Sequence, residues 1–292
     1  MSYTIDQFSK ITGISKLVLR TWENRYQYLS ADRTNTNIRS YSDKLLVKAL
    51  KTKFLIDSGY KISLITKKND SEINYLIDDL RINSSESLMN DYYVNKLIES
   101  GINYDSSLFN TTYDQCMKDF DHIGFYTNIL LPTLSKIGLF WLTNRMNPGQ
   151  EHFLSEMFKQ KMYSAIDKIP NQNSNSNTWL LFLPPEEYHE IGLLFSRLLL
   201  LKNSCNVIYL GANVPLSTLS QLAISKSINN VLFFSISNFS KIKINKTINF
   251  LDSEFKHSSI YAVHSGDSHD LFKKSNITVI NSIPEFVQLI SN

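Results

Sequence analysis

A short apolar run, followed by a loop and then by a longer apolar run, narrows the folds available to this chain. The first run, residues 178–183, ends at a proline and has strand length, whereas residues 193–200 continue as a helix without a breaker. His189 therefore lies on a strand-to-helix loop. In open parallel α/β sheets this edge, at the carboxyl ends of the strands, is where ligands bind.

The rest of the C-terminal half alternates between strand and helix patterns. Short apolar runs predict strands at residues 205–210, 230–235, 259–264 and 277–280, and helical patterns lie between them at residues 215–225 and 241–256. Strands separated by helices predict a parallel sheet. We therefore place a Rossmann-like α/β domain at residues 178–292.

The N-terminus has the pattern of two short helices joined by a tight turn. Ile5, Phe8 and Ile11 recur at helical spacing, Gly13 ends this helix, and Ser15 caps a second helix over residues 16–26. A polar hairpin with two arginines follows at residues 31–42. Together these elements predict a winged helix-turn-helix domain, which we place at residues 1–77.

The second of these helices separates apolar from basic residues, and the domain around it is basic. We expect its apolar side chains to face inward, namely Leu17, Leu19 and Trp22. Residues 1–77 contain 13 Lys and Arg against 7 Asp and Glu, a net charge of +6, whereas residues 78–292 contain 17 against 20, a net charge of −3. A basic module indicates an anionic partner, although charge alone does not identify nucleic acid.

The middle of the chain is polar at first and then helical. Residues 78–91 are rich in Ser and Asn, so we interpret them as a linker. Helical patterns follow at residues 92–98, 105–123, 127–143 and 151–169. Four helices with short connections predict a four-helix bundle, which we place at residues 92–170.

Residues 3–67 resemble the N-terminal domain of MerR-family transcription regulators. The resemblance rests on residues 12–15 (Thr-Gly-Ile-Ser), residues 19–26 (Leu-Arg-Thr-Trp-Glu-Asn-Arg-Tyr) and the wing residues Arg33 and Arg39-x-Tyr41-Ser42. It implies a set of major-groove or adjacent DNA-binding residues, namely Lys16, Arg20, Arg25 and Tyr26. It also implies that Arg33, Arg39 and Tyr41 hold the flanking backbone, where most contacts go to phosphates.

The loop after residue 183 carries Glu187-x-His189-x-x-Gly192, which resembles the D/E-x-H-x-x-G signature of cobalamin-binding domains. The resemblance implies that His189 is the lower axial ligand of cobalt and replaces the nucleotide base of the cofactor. Neutral imidazole is a good metal ligand, and Glu187 could hold the second ring nitrogen. Considered alone, a loop histidine is more often a solvated surface residue.

Two further matches lie on either side of this motif. Trp141 is separated by nine residues from Glu151-His152, as in the W-x(9)-E-H motif of the bundle that covers adenosylcobalamin in cobalamin-dependent MerR regulators. This implies that the three residues line the adenosyl cavity, although Trp141 alone would be an ordinary core aromatic. Ser235-x-Ser237 occupies the place of a family element that meets the nucleotide tail.

Two departures from the family pattern affect these expectations. The family's Gly-Gly after the fourth strand is Ser265-Gly266 here, which alters the room for the tail, with Gly266 retained as a binding residue. Light-sensing members carry a histidine directly after the bundle tryptophan, where this chain has Leu142. Leucine cannot ligate a metal, so capping of cobalt from that position is excluded. His152 could substitute, and photolysis of the cobalt–carbon bond does not depend on such a cap.

Cysteine usage and hydropathy indicate the compartment. Cys116 and Cys205 lie far apart and in no metal-ligand spacing, so we expect buried thiols in a reducing compartment. No apolar segment approaches membrane-spanning length, and the N-terminus lacks a signal-peptide pattern. We therefore expect a cytoplasmic protein without a membrane partner.

These patterns predict a multidomain α and α/β protein, and the two resemblances imply a transcriptional regulator, more specifically a repressor, and not an enzyme. We expect cobalamin, as adenosylcobalamin or methylcobalamin, to control its homo-oligomerisation and its binding to double-stranded operator DNA, with photolysis as a route to light response. Two alternatives stay open. One is a cofactor-independent repressor with a vestigial cobalamin domain, and the other is a corrinoid methyl-carrier.

Overall fold

The computed structural model describes residues 2–83, 86–142, 148–170, 177–237, 239–265 and 268–291. Within helices and strands, the side chains of residues 81–83, 139–142, 268–269 and 274 are also outside the description. The chain forms two compact units, Met1–Met157 and Phe158–Asn292. Within the described part of the chain, no helix combines the length and the apolar character needed to cross a bilayer.

The first unit begins with the predicted winged helix-turn-helix. Its elements are β1 (Ser2–Tyr3), α1 (Ile5–Thr12), α2 (Lys16–Tyr26), β2 (Asp32–Arg33), β3 (Arg39–Ser42), α3 (Asp43–Asp57) and α4 (Ile62–Ile65). The strands form an antiparallel sheet in the order β1-β3-β2. Gly13 ends α1 with φ of 70°, and the Ser15 side chain accepts a hydrogen bond from the N–H of Val18 at the start of α2.

One expectation about the second helix is wrong. Leu19 and Trp22 are buried, with 1% and 7% of their surface exposed, but Leu17 is 74% exposed. Successive helical residues are 100° apart, so Leu17 lies on nearly the opposite side of α2 from Leu19. The helix therefore buries only one stripe of side chains and packs on α1, and Leu17 belongs to its outer face.

Residues 78–91, which we interpreted as a linker, are helical wherever the structure describes them. They belong to α5 (Asp70–Asn83) and α6 (Glu86–Asn103), and positions 84 and 85 lie outside the described residues. The helix α5 is stabilised by buried residues that lie one helical turn apart. Ile73 and Ile77 are 2% and 4% exposed, and α5 packs against α3. This packing overrides the weak helix propensity of the Ser- and Asn-rich sequence.

The remainder of the first unit is helical, as predicted. It contains α6, α7 (Ser106–Asp119), α8 (His122–Gly124), a π-helical turn (Phe125–Leu130), α9 (Leu131–Leu142) and most of α10 (Pro148–Asp167). Asp105 caps α7 by accepting a hydrogen bond from the N–H of Leu108 at 2.9 Å. Pro148 is the first residue of α10, a position where the N–H that proline lacks would have no partner within the helix.

The second unit is the predicted parallel α/β domain. Its strands are β4 (Thr178–Phe182), β5 (Asn206–Gly211), β6 (Asn230–Ser235), β7 (Ser259–His264) and β8 (Ile277–Val279), and its helices after α10 are α11 (Glu190–Lys202), α12 (Leu216–Ser225), α13 (Lys241–Glu254) and α14 (Ile283–Ser291). All strand pairs are parallel, in the order β5-β4-β6-β7-β8. This is the flavodoxin-like order of a doubly wound sheet.

Helices cover both faces of this sheet. One face packs through Leu180, Phe182 and Phe233 on α12 and α13. On the other face Trp179 stacks on Tyr261 and meets Phe286 of α14, a helix that the sequence patterns did not reveal. Successive residues of a strand point to opposite faces of the sheet, and both faces are apolar here, as in buried parallel sheets.

Both cysteines are buried and free, as predicted. Burial raises the pKa of the Cys116 thiol to about 12, and it also raises the pKa of Cys205. Neither thiol is therefore a reactive thiolate at neutral pH.

Candidate functional site

The loop between β4 and α11 is held in place by the neighbouring β5–α12 loop. The N–H of Glu186 donates to Oδ1 of Asn213 at 2.9 Å, and the N–H of Asn213 donates to the carbonyl oxygen of Glu187 at 3.1 Å. Both Glu186 and Asn213 have positive φ, 69° and 56°. Asn tolerates this conformation better than most residues, so Asn213 is a positioning residue, a role that the sequence patterns did not assign to it.

The strand order gives this loop its functional position. β4 and β6 are neighbours in the sheet, and the chain leaves β4 towards β5 on one side but leaves β6 towards β7 on the other. The loops after β4 and β6 therefore flank the topological switch point, which is the ligand crevice of doubly wound sheets. His189 follows the first of these strands and Ser237 follows the second.

Glu187 is the centre of a hydrogen-bond network between the two loops, and none of its side chain is exposed. Its Oε2 accepts from the N–H groups of Ile236 and Ser237 at 2.8 and 2.7 Å. Its Oε1 accepts from the hydroxyl of Ser237 at 2.9 Å and from the N–H groups of Tyr188 and His189 at 3.0 and 3.1 Å. These donors compensate the burial of a charge.

The same carboxylate orients the imidazole of His189. Nδ1 of His189 lies 2.6 Å from Oε1 of Glu187 and 3.3 Å from the hydroxyl of Ser237, while the side chain of His189 is 62% exposed. A carboxylate acceptor places the proton on Nδ1. Nε2 then carries the ring lone pair and lies on the opposite side of the ring from Glu187. This donor set fits a metal-ligating histidine with a carboxylate behind it.

Glu187 remains ionised over the physiological pH range. Burial raises its pKa, but hydrogen bonds from His189 and Ser237 outweigh burial and hold the pKa at about 2. The network therefore supplies a fixed negative charge next to the imidazole.

The serine residues predicted to meet a nucleotide tail have protein partners in this structure. Ser235, the last residue of β6, is 2% exposed, and its carbonyl oxygen lies 3.0 Å from Nδ1 of His264. Ser237 anchors Glu187 as described above, and Ser265 donates its hydroxyl to the carbonyl oxygen of Ile236 at 2.6 Å. Gly266 lies outside the described residues. Contact of these positions with a tail stays a prediction.

Two glycines lie close to the start of α11. Gly192, in its first turn, is half-buried, and its carbonyl oxygen accepts from the hydroxyl of Ser196 at 3.1 Å. Gly211 ends β5 with φ of 77°, and a Cβ there would lie 3.0 Å from Oε1 of Glu190. Glu190 also accepts a hydrogen bond from the hydroxyl of Tyr209 at 2.9 Å. This polar contact beside the His189 loop was not predicted.

The residues predicted to line an adenosyl cavity belong to the first unit. Glu151 is half-buried and His152 is exposed, both near the start of α10. Trp141 is part of α9, but its side chain, like that of Leu142, falls outside the described set. Contact of Trp141, Glu151 and His152 with a ligand stays a prediction.

The DNA-binding candidates on α2 are exposed, apart from a partly buried Tyr26. Lys16 pairs with Asp6 at 2.5 Å in an exposed ion pair, and Arg20 is exposed one turn further along. The guanidinium of Arg25 lies 5.3 Å from the centre of the Tyr26 ring. Exposed pairs of this kind contribute little to stability, so the Lys16 ammonium can exchange its partner for a phosphate at small cost.

The wing residues divide into an exposed and a structural group. Arg33 is exposed and donates from Nη1 to Oδ1 of Asn37 at 2.9 Å, across the turn of the wing. Arg39 donates from Nε to Oε2 of Glu23 at 2.7 Å, and the two side chains are only 22% and 15% exposed. Arg39 thus ties the wing to α2.

The expectation that Tyr41 contacts the DNA backbone is not supported by its position. Tyr41 has 0% exposure and stacks on Phe8, with ring centroids 4.2 Å apart. Its hydroxyl is buried and has no hydrogen-bond partner among the residues that the structure describes. Tyr41 is a core residue, because the pleat of β3 turns it towards α1.

Two regions of the chain match known protein families. Residues 3–71 match the family model described as MerR HTH family regulatory protein. Residues 93–165 match the family model described as B12 binding domain. The first match covers the winged helix-turn-helix, and the second covers the helical bundle.

Two curated relatives are similar over most of the chain. The HTH-type transcriptional repressor CarH of Myxococcus xanthus is 24% identical over 227 residues, which is 77% of this chain and 75% of the relative. The HTH-type transcriptional repressor CarA of the same organism is 22% identical over 221 residues, which is 75% of this chain and 71% of the relative.

Among solved structures, the monomethylamine corrinoid protein of Methanosarcina barkeri has a similar fold. The TM-score is 0.58 at 11% identity, and the match covers 69% of this chain and 98% of that chain. At this level of identity the similarity concerns the fold alone.

Proposed function

We propose that this chain, which carries a MerR-type DNA-binding domain and a B12-binding domain and is homologous to the repressors CarH and CarA, represses transcription under the control of bound cobalamin. The observation that carries the proposal is the 2.6 Å contact between Glu187 and His189 at the switch point of the sheet. It gives His189 the tautomer and the orientation that a metal ligand needs.

In this proposal each residue of the network has a distinct role. His189 would ligate cobalt through Nε2, Glu187 would hold the imidazole in place, and Ser237 would hold the carboxylate of Glu187. Bound cobalamin would supply a cobalt ion that accepts the imidazole as a ligand and, in its adenosyl form, a light-sensitive cobalt–carbon bond. Trp141, Glu151 and His152 would contact the adenosyl group.

Control of transcription then follows from linkage. A ligand that binds one oligomeric state better than another shifts the population towards that state. An assembly that presents several winged domains binds an operator more tightly by avidity, without new base contacts. Illumination would reverse the shift and release the DNA.

The test is a gel shift under anaerobic conditions with the full chain and a duplex selected from a random pool in the dark with adenosylcobalamin. We expect tighter DNA binding in the dark than after illumination. His189→Ala should remove both the cobalamin dependence and the corrin absorbance that co-elutes with the protein. His257→Ala changes another exposed histidine of the second unit and should change neither.

Other outcomes distinguish the alternatives. Operator binding that is identical with and without cobalamin, and in light and dark, would identify a cofactor-independent repressor. Corrin binding without selection of any duplex would favour a corrinoid carrier. Retention of bound corrin by His189→Ala with an unchanged spectrum would contradict ligation by His189.

A further inference from the structure

The first turn of α2 exposes an aliphatic side chain on a polar face. Leu17 is 74% exposed and its neighbour Val18 is 36% exposed. Three other exposed residues lie on the same face one or two turns further along, namely Arg20, Thr21 and Asn24. We call Leu17, Arg20, Thr21 and Asn24, together with Lys16, the recognition face.

The recognition face is basic because it carries Lys16 and Arg20. Of the nearby carboxylates, Glu23 is bonded to Arg39 of the wing, and Asp6 forms an exposed ion pair with Lys16. Arg20 therefore lies beside Leu17 on a surface complementary to a polyanion.

A single exposed leucine is common on protein surfaces and needs no explanation. The position of Leu17 sets it apart, because the N-terminal residues of a recognition helix are those that meet base edges in the major groove.

We infer that Leu17 reads thymine methyl groups in the major groove and is a specificity-determining residue; this inference rests on the proposed function. Leucine has no hydrogen-bonding group, and the 5-methyl of thymine is the apolar feature of the major-groove edges. Thr21 supports this arrangement: its hydroxyl donates to the carbonyl oxygen of Leu17 at 2.8 Å, so its donor is used within the helix. Arg20 supplies the hydrogen bonds to guanine or phosphate.

The experiment removes one methyl group at a time from the DNA. In the selected duplex each thymine is replaced by uracil, which lacks only the 5-methyl, and binding of the full chain is measured. We expect one or two positions per recognition helix at which uracil weakens binding about three- to five-fold, the effect of burying one methyl group. In Leu17→Ala the duplexes with thymine and uracil at those positions should bind equally.

Two control variants make the result specific. Ile224→Ala removes an aliphatic side chain that is 86% exposed on α12 and should keep the full dependence on thymine. Arg20→Ala should weaken binding to both duplexes by the same factor and so preserve their ratio. Circular dichroism of Leu17→Ala should match the parent protein, because its side chain is exposed.

The outcomes separate this inference from the proposed function. The inference is wrong, while DNA binding stands, if replacing thymine by uracil weakens binding at no position. It is also wrong if the replacement weakens binding of Leu17→Ala and of the parent protein by the same factor. If selection enriches no duplex, the proposed function fails and the inference fails with it.

Discussion

The imidazole Nδ1 of His189 lies 2.6 Å from Oε1 of Glu187, and this carboxylate has no exposed side-chain surface. The exposed ring is therefore fixed from behind by a buried charge, which is itself fixed by backbone N–H groups of Ile236 and Ser237. A ligand that binds to the outer side of the ring meets a side chain that is already oriented, so less conformational entropy is lost on binding.

Glu187 should make stability depend on acidic pH. Its pKa is about 2 in the folded protein against 4.5 for an unperturbed glutamate, so its contribution is complete above about pH 4.5 and is lost as pH falls towards about 2. The contribution lost is about 3 kcal/mol on the scale of 1.4 kcal/mol per pKa unit. In Glu187→Gln this part of the pH dependence should be absent, as measured by urea unfolding at several pH values.

The matched control for this prediction is Glu254→Gln, which changes an exposed carboxylate at the end of α13. Its pH dependence should follow that of the parent protein. If Glu187→Gln also retained the parent slope between pH 4.5 and about 2, the hydrogen bonds to Glu187 would not be stabilising the carboxylate.

The packing of α6 against α10 should depend on the absence of a side chain at Gly101. A Cβ at this position would lie 2.2 Å from Cδ1 of Leu154, which is fully buried. Gly101→Ala should therefore destabilise the protein by about 1–3 kcal/mol, the usual cost of overpacking. Leu154→Ala by itself should lower the free energy of unfolding by about 2–5 kcal/mol, and the double variant should lower it by less than the sum of the two single losses.

Gly138→Ala is the control for this helix packing. Gly138 lies on α9, and an added Cβ would meet no atom within 4 Å. Because alanine favours helix over glycine, this variant should be neutral or more stable by up to about 1 kcal/mol. If urea unfolding showed that the losses of stability in Gly101→Ala and Leu154→Ala add up in the double variant, the two side chains would not compete for the same space.

The ion pair between Lys51 of α3 and Glu99 of α6 should be strongly coupled. Their atoms Nζ and Oε1 are 2.7 Å apart, and the side chains are only 19% and 16% exposed. Lys51→Met and Glu99→Gln should each cost about 1–3 kcal/mol, since each leaves a poorly solvated partner. In a double-mutant cycle, the loss of unfolding free energy in the double variant should be smaller than the sum of the two single losses.

A more exposed pair on α3 provides the comparison. Lys53 and Asp57 form an i,i+4 ion pair with 34% and 47% exposure, so Lys53→Met should cost less than about 0.5 kcal/mol. Equal costs at Lys51 and Lys53 would mean that burial between α3 and α6 does not strengthen the first pair.

Tyr41 provides a test of core packing against DNA contact. Because its hydroxyl is buried and unbonded within the described residues, Tyr41→Phe should leave stability unchanged or raise it by up to about 1 kcal/mol. Operator affinity should stay within about two-fold of the parent value, whereas each lost phosphate contact would reduce the salt dependence of binding. A reduced salt slope for Tyr41→Phe in fluorescence anisotropy would restore the DNA-contact interpretation.

Features that depend on local interactions could be predicted from the order of the amino acids. Gly13 and Ser15 delimit the two helices of the winged domain because their roles are set by backbone angles and capping within a few residues. The alternation of strands and helices after residue 178 predicted the parallel sheet, and the spacing of Glu187 and His189 placed both on one loop. Local motifs therefore predicted the fold class and the first half of the site.

Contacts between distant segments determine which residues complete that site and which face the solvent. Ser237 reaches Glu187 from 50 positions away because neighbouring parallel strands bring their carboxyl ends together. Packing of α5 on α3 stabilises a helix in a stretch whose composition favoured a linker, and the core contains Tyr41 while Leu17 lies outside it. Hydrophobicity along the chain could not predict these outcomes, because it does not say which distant segment each side chain will meet.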